Sequence, residues 1–236
     1  MKKETSEVDE ISIGVANESH LPYVQTILTT IEEAAKVRGT GIAKRSPEYI
    51  ERKIKEGKAI IAITQNSEFA GFCYIETWGD KKFVANSGLI VVDTFRGHGL
   101  AKRIKKKAFQ ISRERYPDAK IFGLTTGLAV MKINNELGYR PVTFSELTHD
   151  EEFWKGCQSC VNYDILQRTN RKHCLCTGML YDPAWSKEEE KEKTKTKAKA
   201  IVVKPVKKPV KSVSKSTASK KKVKQKSSPV IKINLS

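Results

Sequence analysis

From Ile11 to Ala16 apolar and polar residues alternate between acidic flanks, and a period of two predicts a first strand. Asn17, Ser19 and Pro22 then mark a helix start, and Val24, Ile27, Leu28 and Ile31 recur at helical spacing up to Arg38-Gly39. Ser46-Pro47-Glu48 opens a second, short helix that Gly57 closes. Three strand-like runs follow, Ala59 to Thr64, Ala70 to Trp78 and Phe83 to Val92, with turns at Asn66-Ser67 and Gly79-Asp80. A long helix is predicted from Gly99 to Tyr116, where Pro117 stops it; its apolar stripe is Leu100, Ile104, Ala108 and Ile111. Ile121 to Thr125 reads as a strand, Leu128 to Leu137 as a helix ended by Gly138, and Tyr139 to Phe144 as a last strand.

The order β-α-α-β-β-β-α-β-α-β makes a mixed α/β domain over residues 9–148, and its two late crossover helices require part of the sheet to be parallel. After Thr148 the texture changes. Residues 149–185 lack periodicity but hold four of the five cysteines and two of the three tryptophans, which sets them apart as a cysteine-rich extension. Residues 186–236 contain no aromatic side chain, and a segment this polar cannot bury enough apolar surface to offset its ordering entropy, so a disordered tail is expected.

Charge changes the picture only once it is located. The chain carries +17 overall, but residues 187–236 hold 17 lysines against four glutamates, and the other 186 residues have a net charge of +4. The basicity belongs to the tail, which suits non-specific, salt-sensitive nucleic-acid binding or a solubilising role, and it has no aromatic ring on which a base could stack. No apolar run approaches the roughly 18 residues that would cross a bilayer. Met1-Lys2-Lys3-Glu4 leads into no hydrophobic signal segment, and with five cysteines the simple expectation is a cytoplasmic protein in a reducing compartment, without a membrane partner.

The most informative stretch runs from Gly88 to Ala101. An apolar strand enters Arg96-Gly97-His98-Gly99, and a helix starts at once. Glycines there let a ligand approach the backbone, and the helix's first N–H groups, aided by its dipole, form an anion site suited to a pyrophosphate. A dinucleotide fingerprint would need a third glycine where Lys102 stands, and a Walker-type loop would need Gly-Lys-Ser/Thr; neither is present.

Strand, Arg-Gly-x-Gly-x-Ala and helix together resemble the acetyl-CoA signature of the GNAT superfamily. Leu89-Ile-Val-Val-Asp-Thr-Phe95 resembles its lead-in, and Gly127 to Tyr139, a helix ending in Leu-Gly-aromatic, resembles its second motif. More narrowly, the chain to Pro183 is similar to GNAT proteins of Bacteroidetes-type bacteria that accompany arginine biosynthesis. The resemblance implies a sheet with a splayed parallel strand pair, an acetyl-CoA or other acyl-CoA donor, and acylation of the amine of a small amino acid, glutamate first. It implies that Ile90 and Val91 offer backbone groups to pantetheine and thioester, and that Arg96, Gly97, His98, Gly99, Leu100 and Ala101 wrap the pyrophosphate. A protein or peptide N-acetyltransferase, and a non-catalytic GNAT-like domain with a nucleic-acid-binding tail, are the competing readings.

Catalytic groups are less legible. The family's usual tyrosine falls at Asn134, whose amide has no titrating proton. The family's strand carboxylate falls near Ala85, which leaves Glu76 on the neighbouring strand as the base candidate, acting through water, against the blander reading of a solvated charge. Lys102, Arg103, Lys105, Lys106 and Lys107 form a basic helix face, either solvated or near the coenzyme's 3′-phosphate. Cys157-x-x-Cys160 and Cys174-x-Cys176 are two close pairs of thiols; structural zinc, free reduced thiols and a redox or iron–sulfur role are the alternatives. Cys73, in a strand, is expected to be a small core residue.

Overall fold

A computed structural model describes residues 10–38 and 44–185. Residues 1–193 cluster as one unit, and the second unit, 194–236, lies outside the described residues, as does the whole lysine-rich tail, 186–236, with its expected disorder. Seven strands form one sheet in the order β1-β2-β3-β4-β5-β7-β6. They are β1 (Ser12–Val15), β2 (Ala59–Ile63), β3 (Phe69–Trp78), β4 (Phe83–Val91), β5 (Lys120–Thr125), β6 (Arg140–Val142) and β7 (Thr177–Tyr181). The longer helices are α1 (Val24–Arg38), α2 (Pro47–Lys55), α3 (Leu100–Arg115) and α4 (Leu128–Glu136). Ser46 caps α2 by accepting from the Tyr49 N–H, with Pro47 in the first turn as expected.

Period-two alternation divides the side chains between the two sheet faces. Cys73, Ile75, Val84, Val91, Ile121 and Met179 pack under Leu100, Ile104, Ala108 and Ile111 of α3. Phe72, Tyr74 and Ile90 pack on the opposite face against Ile27, Ile31, Ile50 and Ile54 of α1 and α2. Further along that second face, Ala85, Phe122 and Leu180 meet a third cluster, which includes Trp154 and Leu166 of the extension. Among the described residues no helix is long and apolar enough to cross a membrane.

One expectation is corrected. The strand at Arg140–Val142 is neither as long as the run from Tyr139 to Phe144 nor the last. The extension folds through α5 (Glu151–Lys155) and α6 (Tyr163–Arg168) and returns as β7, which pairs antiparallel with β5 on one side and β6 on the other. Thr177-Gly-Met-Leu-Tyr181 is only five residues long and lies among cysteines and basic residues, so its period was hidden by its surroundings. The parallel pairing inferred from the crossover helices is present between β4 and β5.

Strand β4 contains a bulge. Phe72 pairs with Ile90 and Tyr74 with Ser87, so two steps on β3 face three on β4. The extra residue falls at Gly88, whose φ of +67° is left-handed, and a Cβ there would sit 2.8 Å from Cε1 of Tyr74. Only glycine satisfies both constraints. Gly88→Ala is expected to destabilise the protein by about 2–4 kcal/mol, combining backbone strain with overpacking, as read by denaturant unfolding. A loss below about 0.5 kcal/mol would mean that Tyr74 does not hold the bulge.

Candidate functional site

Strands β4 and β5 stay paired for three positions only, Phe83 to Ala85 against Lys120 to Phe122. Beyond them β4 runs on to Val91 along β3, and β5 runs on to Thr125 along β7. A wedge therefore opens between the two parallel strands, with Asn86 and Gly123 at its apex. The bulge at Gly88 lies in its β4 wall.

At the open end stands the N-terminus of α3. Gly97 and Gly99 have φ of +85° and +76°, and no atom would lie within 4 Å of a Cβ on either. Arg96 through Gly99 are exposed. The Arg96 N–H bonds to the Asp93 carbonyl, and the next bond is from the Arg103 N–H to the Gly99 carbonyl. Among the described residues, no backbone carbonyl accepts from the N–H groups of Gly97, His98, Gly99, Leu100, Ala101 and Lys102. Such a run at a helix start is a ready anion site, strengthened by the positive end of the dipole.

The side chain of Arg96 is committed to the loop rather than turned outward. Its Nε donates to the Val91 carbonyl at 3.0 Å, and Nη2 pairs with Asp93 at 2.6 Å. Val91 thus has its carbonyl occupied, while Ile90 is held in register opposite Phe72. The basic helix face also resolves into unequal parts. Lys102 pairs with Glu136 of α4, Arg103 Nη2 donates to the Ile11 carbonyl, Lys106 is exposed, and Lys105 is buried.

On the α1–α2 face, Glu76 lies opposite Ala85, one position short of the apex. It is not a solvated charge. The Tyr49 O–H donates to Glu76 Oε2 at 2.8 Å, and Lys53, only 2% exposed, pairs with the same oxygen. Burial outweighs the carboxylate's pull and lowers the pKa of Lys53. Burial also raises that of Tyr49, with the negative neighbourhood adding to it, so the phenol stays protonated and donates. Arg45 Nε donates to the Tyr74 hydroxyl at 2.7 Å, and the Tyr74 ring meets the Tyr49 ring edge-on. The Lys44 N–H reaches Ser159 Oγ at 2.9 Å, joining the start of α2 to the extension. Glu76 therefore sits in a seam between the α1–α2 core and the extension's core.

The opposite, α3 face carries a buried polar chain at the apex. The Tyr139 O–H donates to Asn86 Oδ1, Asn86 Nδ2 to Ser112 Oγ, and Ser112 Oγ to the Ala108 carbonyl. Lys105 Nζ lies 5.1 Å from the Tyr139 ring centroid and 4.0 Å from where a Cβ on Gly123 would be. Burial lowers the Lys105 pKa to about 8, partly opposed by Cys73. Asn134 is 1% exposed, and among the described residues its Oδ1 has no hydrogen-bond partner.

Cys157, Cys160, Cys174 and Cys176 are free, half-buried thiols gathered around one spot. Burial, with the neighbouring thiols adding to it, pushes Cys157 up to about 11 and Cys176 to about 12. Among the described residues no group of three or more His, Cys, Asp or Glu side chains closes to metal-ligand geometry. Cys73 is fully buried in the α3-face core, with burial raising its thiol to about 11.

Residues 28–132 match the acetyltransferase (GNAT) family. No curated protein matches the chain. Among solved structures, N-acetylglutamate synthase from Neisseria gonorrhoeae, complexed with coenzyme A and N-acetyl-glutamate, is similar at a TM-score of 0.53 and 18% identity. That likeness covers 73% of this chain and 35% of the synthase, so the chain spans about a third of the synthase's length. A Mycobacterium tuberculosis protein solved with CoA and a second ligand is similar at 0.51 and 15% identity, over 72% of this chain and 98% of that one. A chain of the NatC complex bound to Gag peptide and CoA is similar at 0.51 and 14%, over 73% and 98%. At these identities the likeness is one of fold.

Lys53 went unnoticed in the sequence, and Lys105 was named there only as one member of a basic helix face. Lys53 lies on the apolar stripe of α2 between Ile50 and Ile54, and a lysine on such a stripe is a signal that was readable. Lys105, next to Ile104, is the same signal on α3, masked by four neighbouring basic residues. A buried lysine with a lowered pKa leaves a pH signature: the unfolded chain holds its proton up to about 10.5, so burial costs stability below pH 8 and the cost fades above it. Relative to Lys105→Met, wild-type unfolding free energy is expected to gain on the order of 1–3 kcal/mol between pH 7 and 10. A difference independent of pH would show Lys105 to be solvated.

Proposed function

We propose, from the match of residues 28–132 to the acetyltransferase (GNAT) family, that the chain transfers an acyl group from acyl-CoA to the amine of a small amino acid, with glutamate the leading candidate. The observation that carries this reading is the run of unaccepted N–H groups from Gly97 to Lys102, at the mouth of a wedge between the parallel strands. A diphosphate bound there would direct the pantetheine arm down the wedge. Residues Arg96 to Ala101 contribute their backbone to that grip. In the free protein the Arg96 side chain braces the loop from Val91 and Asp93, and binding through it would require an exchange of partners.

The acceptor enters from the face that carries Glu76. An uncharged amine attacks the thioester carbonyl, the carbonyl oxygen takes up negative charge, and a fixed backbone N–H in the β4 wall near Ile90 stabilises it by about 3 kcal/mol. Glu76 Oε2 is held by Tyr49 and Lys53, leaving Oε1 to accept the amine's proton, directly or through one water. Two features support a small acceptor. The extension closes one side of the seam in which Glu76 lies, and Arg45 brings a guanidinium to the same face.

The cysteine cluster is assigned a structural zinc ion on the chemistry of its donors. Four neighbouring thiolates would repel one another unless a cation lay among them, and Zn²⁺ would draw the four sulfurs into a tetrahedron. Purified protein is expected to contain one zinc per chain, and chelation is expected to lower Tm. Zinc-free protein whose four thiols all react at the rate of exposed cysteine would remove the assignment.

The main reading is checked by following CoA thiol release across the amino acids and lysine peptides. Turnover with glutamate, and a rise in KM for acyl-CoA of roughly tenfold or more in Gly99→Val, is the expected outcome, because a β-branched residue cannot hold the left-handed turn. Glu76→Gln is expected to lower kcat/KM by about 100-fold. Activity confined to peptides would replace the acceptor assignment, and no affinity for any CoA species would end the reading.

A further inference from the structure

The two faces of the sheet that flank the wedge differ in chemistry. Glu76 stands on one; on the other, α3 sends Lys105 to the apex. The Lys105 side chain is 2% exposed and, among the described residues, makes no ion pair and no hydrogen bond. Its ammonium faces the ring of Tyr139. Buried lysines are almost always paired, because an ammonium removed from water without a counter-charge is costly. The groups around it supply none. Strand β3 presents Cys73, a neutral thiol raised by burial to about 11. Strand β4 presents Asn86, already bonded to Tyr139 and Ser112, and β5 presents Gly123. The turn into β6 presents Tyr139, whose phenol burial keeps neutral, and Tyr181 of β7 lies behind it with Arg113 over its ring. Among the described residues no carboxylate faces the amine. The missing negative charge is then one that arrives with a ligand and appears at the apex.

We propose that Lys105 is a catalytic residue, the proton donor to the CoA thiolate as it leaves. This rests on the coenzyme lying in the wedge as described above. As the tetrahedral intermediate collapses, the C–S bond breaks with its electron pair going to sulfur, and the new C–N bond remains. The sulfur takes a proton from the Lys105 ammonium, while the amine's proton leaves on the opposite face through Glu76. Each group then exchanges with solvent, so one proton is transferred in net from amine to thiol. Competing donors on the α3 face are poorer: Asn134 has no titrating proton, and the hydroxyl of Tyr139 is spent on Asn86. A lysine whose pKa burial has brought to about 8 lies close to that of a thiol, near 8.5, which makes the transfer nearly balanced.

The test is the pH dependence of kcat, with CoA affinity measured beside it. In wild type, kcat is expected to fall as pH rises through about 8, opposite in direction to the gain from freeing the acceptor amine. Lys105→Met is expected to lose about 100-fold in kcat, to keep the affinity for CoA within about threefold, and to lose the alkaline fall. Lys105→Arg keeps the charge but does not release a proton at these pH values, and is expected to be as slow as Lys105→Met. An alkaline fall that persists in Lys105→Met would overturn the proposal, as would full activity in Lys105→Arg. Both results leave the coenzyme site standing. Absence of CoA binding to wild type by calorimetry would instead remove the site itself, and this proposal with it.

Discussion

Everything at the candidate site depends on β4 and β5 ceasing to pair after Ala85 and Phe122. Parallel strands buried on both faces normally continue their ladder, because an unpaired buried backbone group costs about as much as a lost hydrogen bond. Here β4 is held on its other side by β3, and β5 by β7, so each strand keeps one partner where the two part company. The bulge at Gly88 turns the β4 backbone within that gap. Tyr74 fills the space that a side chain at Gly88 would need, and Arg45 ties the Tyr74 hydroxyl to the start of α2. Acceptor face and coenzyme wedge are thus linked through one tyrosine.

Electrostatics then divide the labour. The mouth of the wedge carries the positive end of the α3 dipole, with no acidic residue in the helix's first turn, and the Arg96 charge beside it is offset by Asp93. Deeper in, charge comes from side chains placed singly on opposite faces: Glu76, backed by Lys53 and Tyr49, and Lys105 against Tyr139. The sheet between them keeps the two from pairing, and each holds its proton chemistry separately.

Local signals carried most of the fold. Ser46-Pro47, the stripe of α3 and the turn at Gly97 and Gly99 each state their structure within a few residues, and each folded as read. The β7 strand did not, because its place is decided by two strands distant in sequence. Glu76 was singled out by elimination, yet its ion-pair partner Lys53 was missed: a lysine reads as surface unless the stripe around it is weighed more heavily than its charge. Lys105 was lost inside a basic run for the same reason. Asn134 and the four cysteines were legible as residues but not as chemistry, since partners set across the fold decide whether an amide or a thiol is satisfied.

The insertion of β7 between β5 and β6 has a consequence for biosynthesis. Until residue 181 has cleared the ribosome, β5 has an open edge and β6 has no partner, although every residue of the wedge has already been made. The nascent chain therefore cannot finish its sheet in step with synthesis, and β5 remains a template for wrong strands during that interval. A late-arriving strand from the cysteine-bearing segment ends the exposure, which ties completion of the sheet to the folding of the one region whose own core is small.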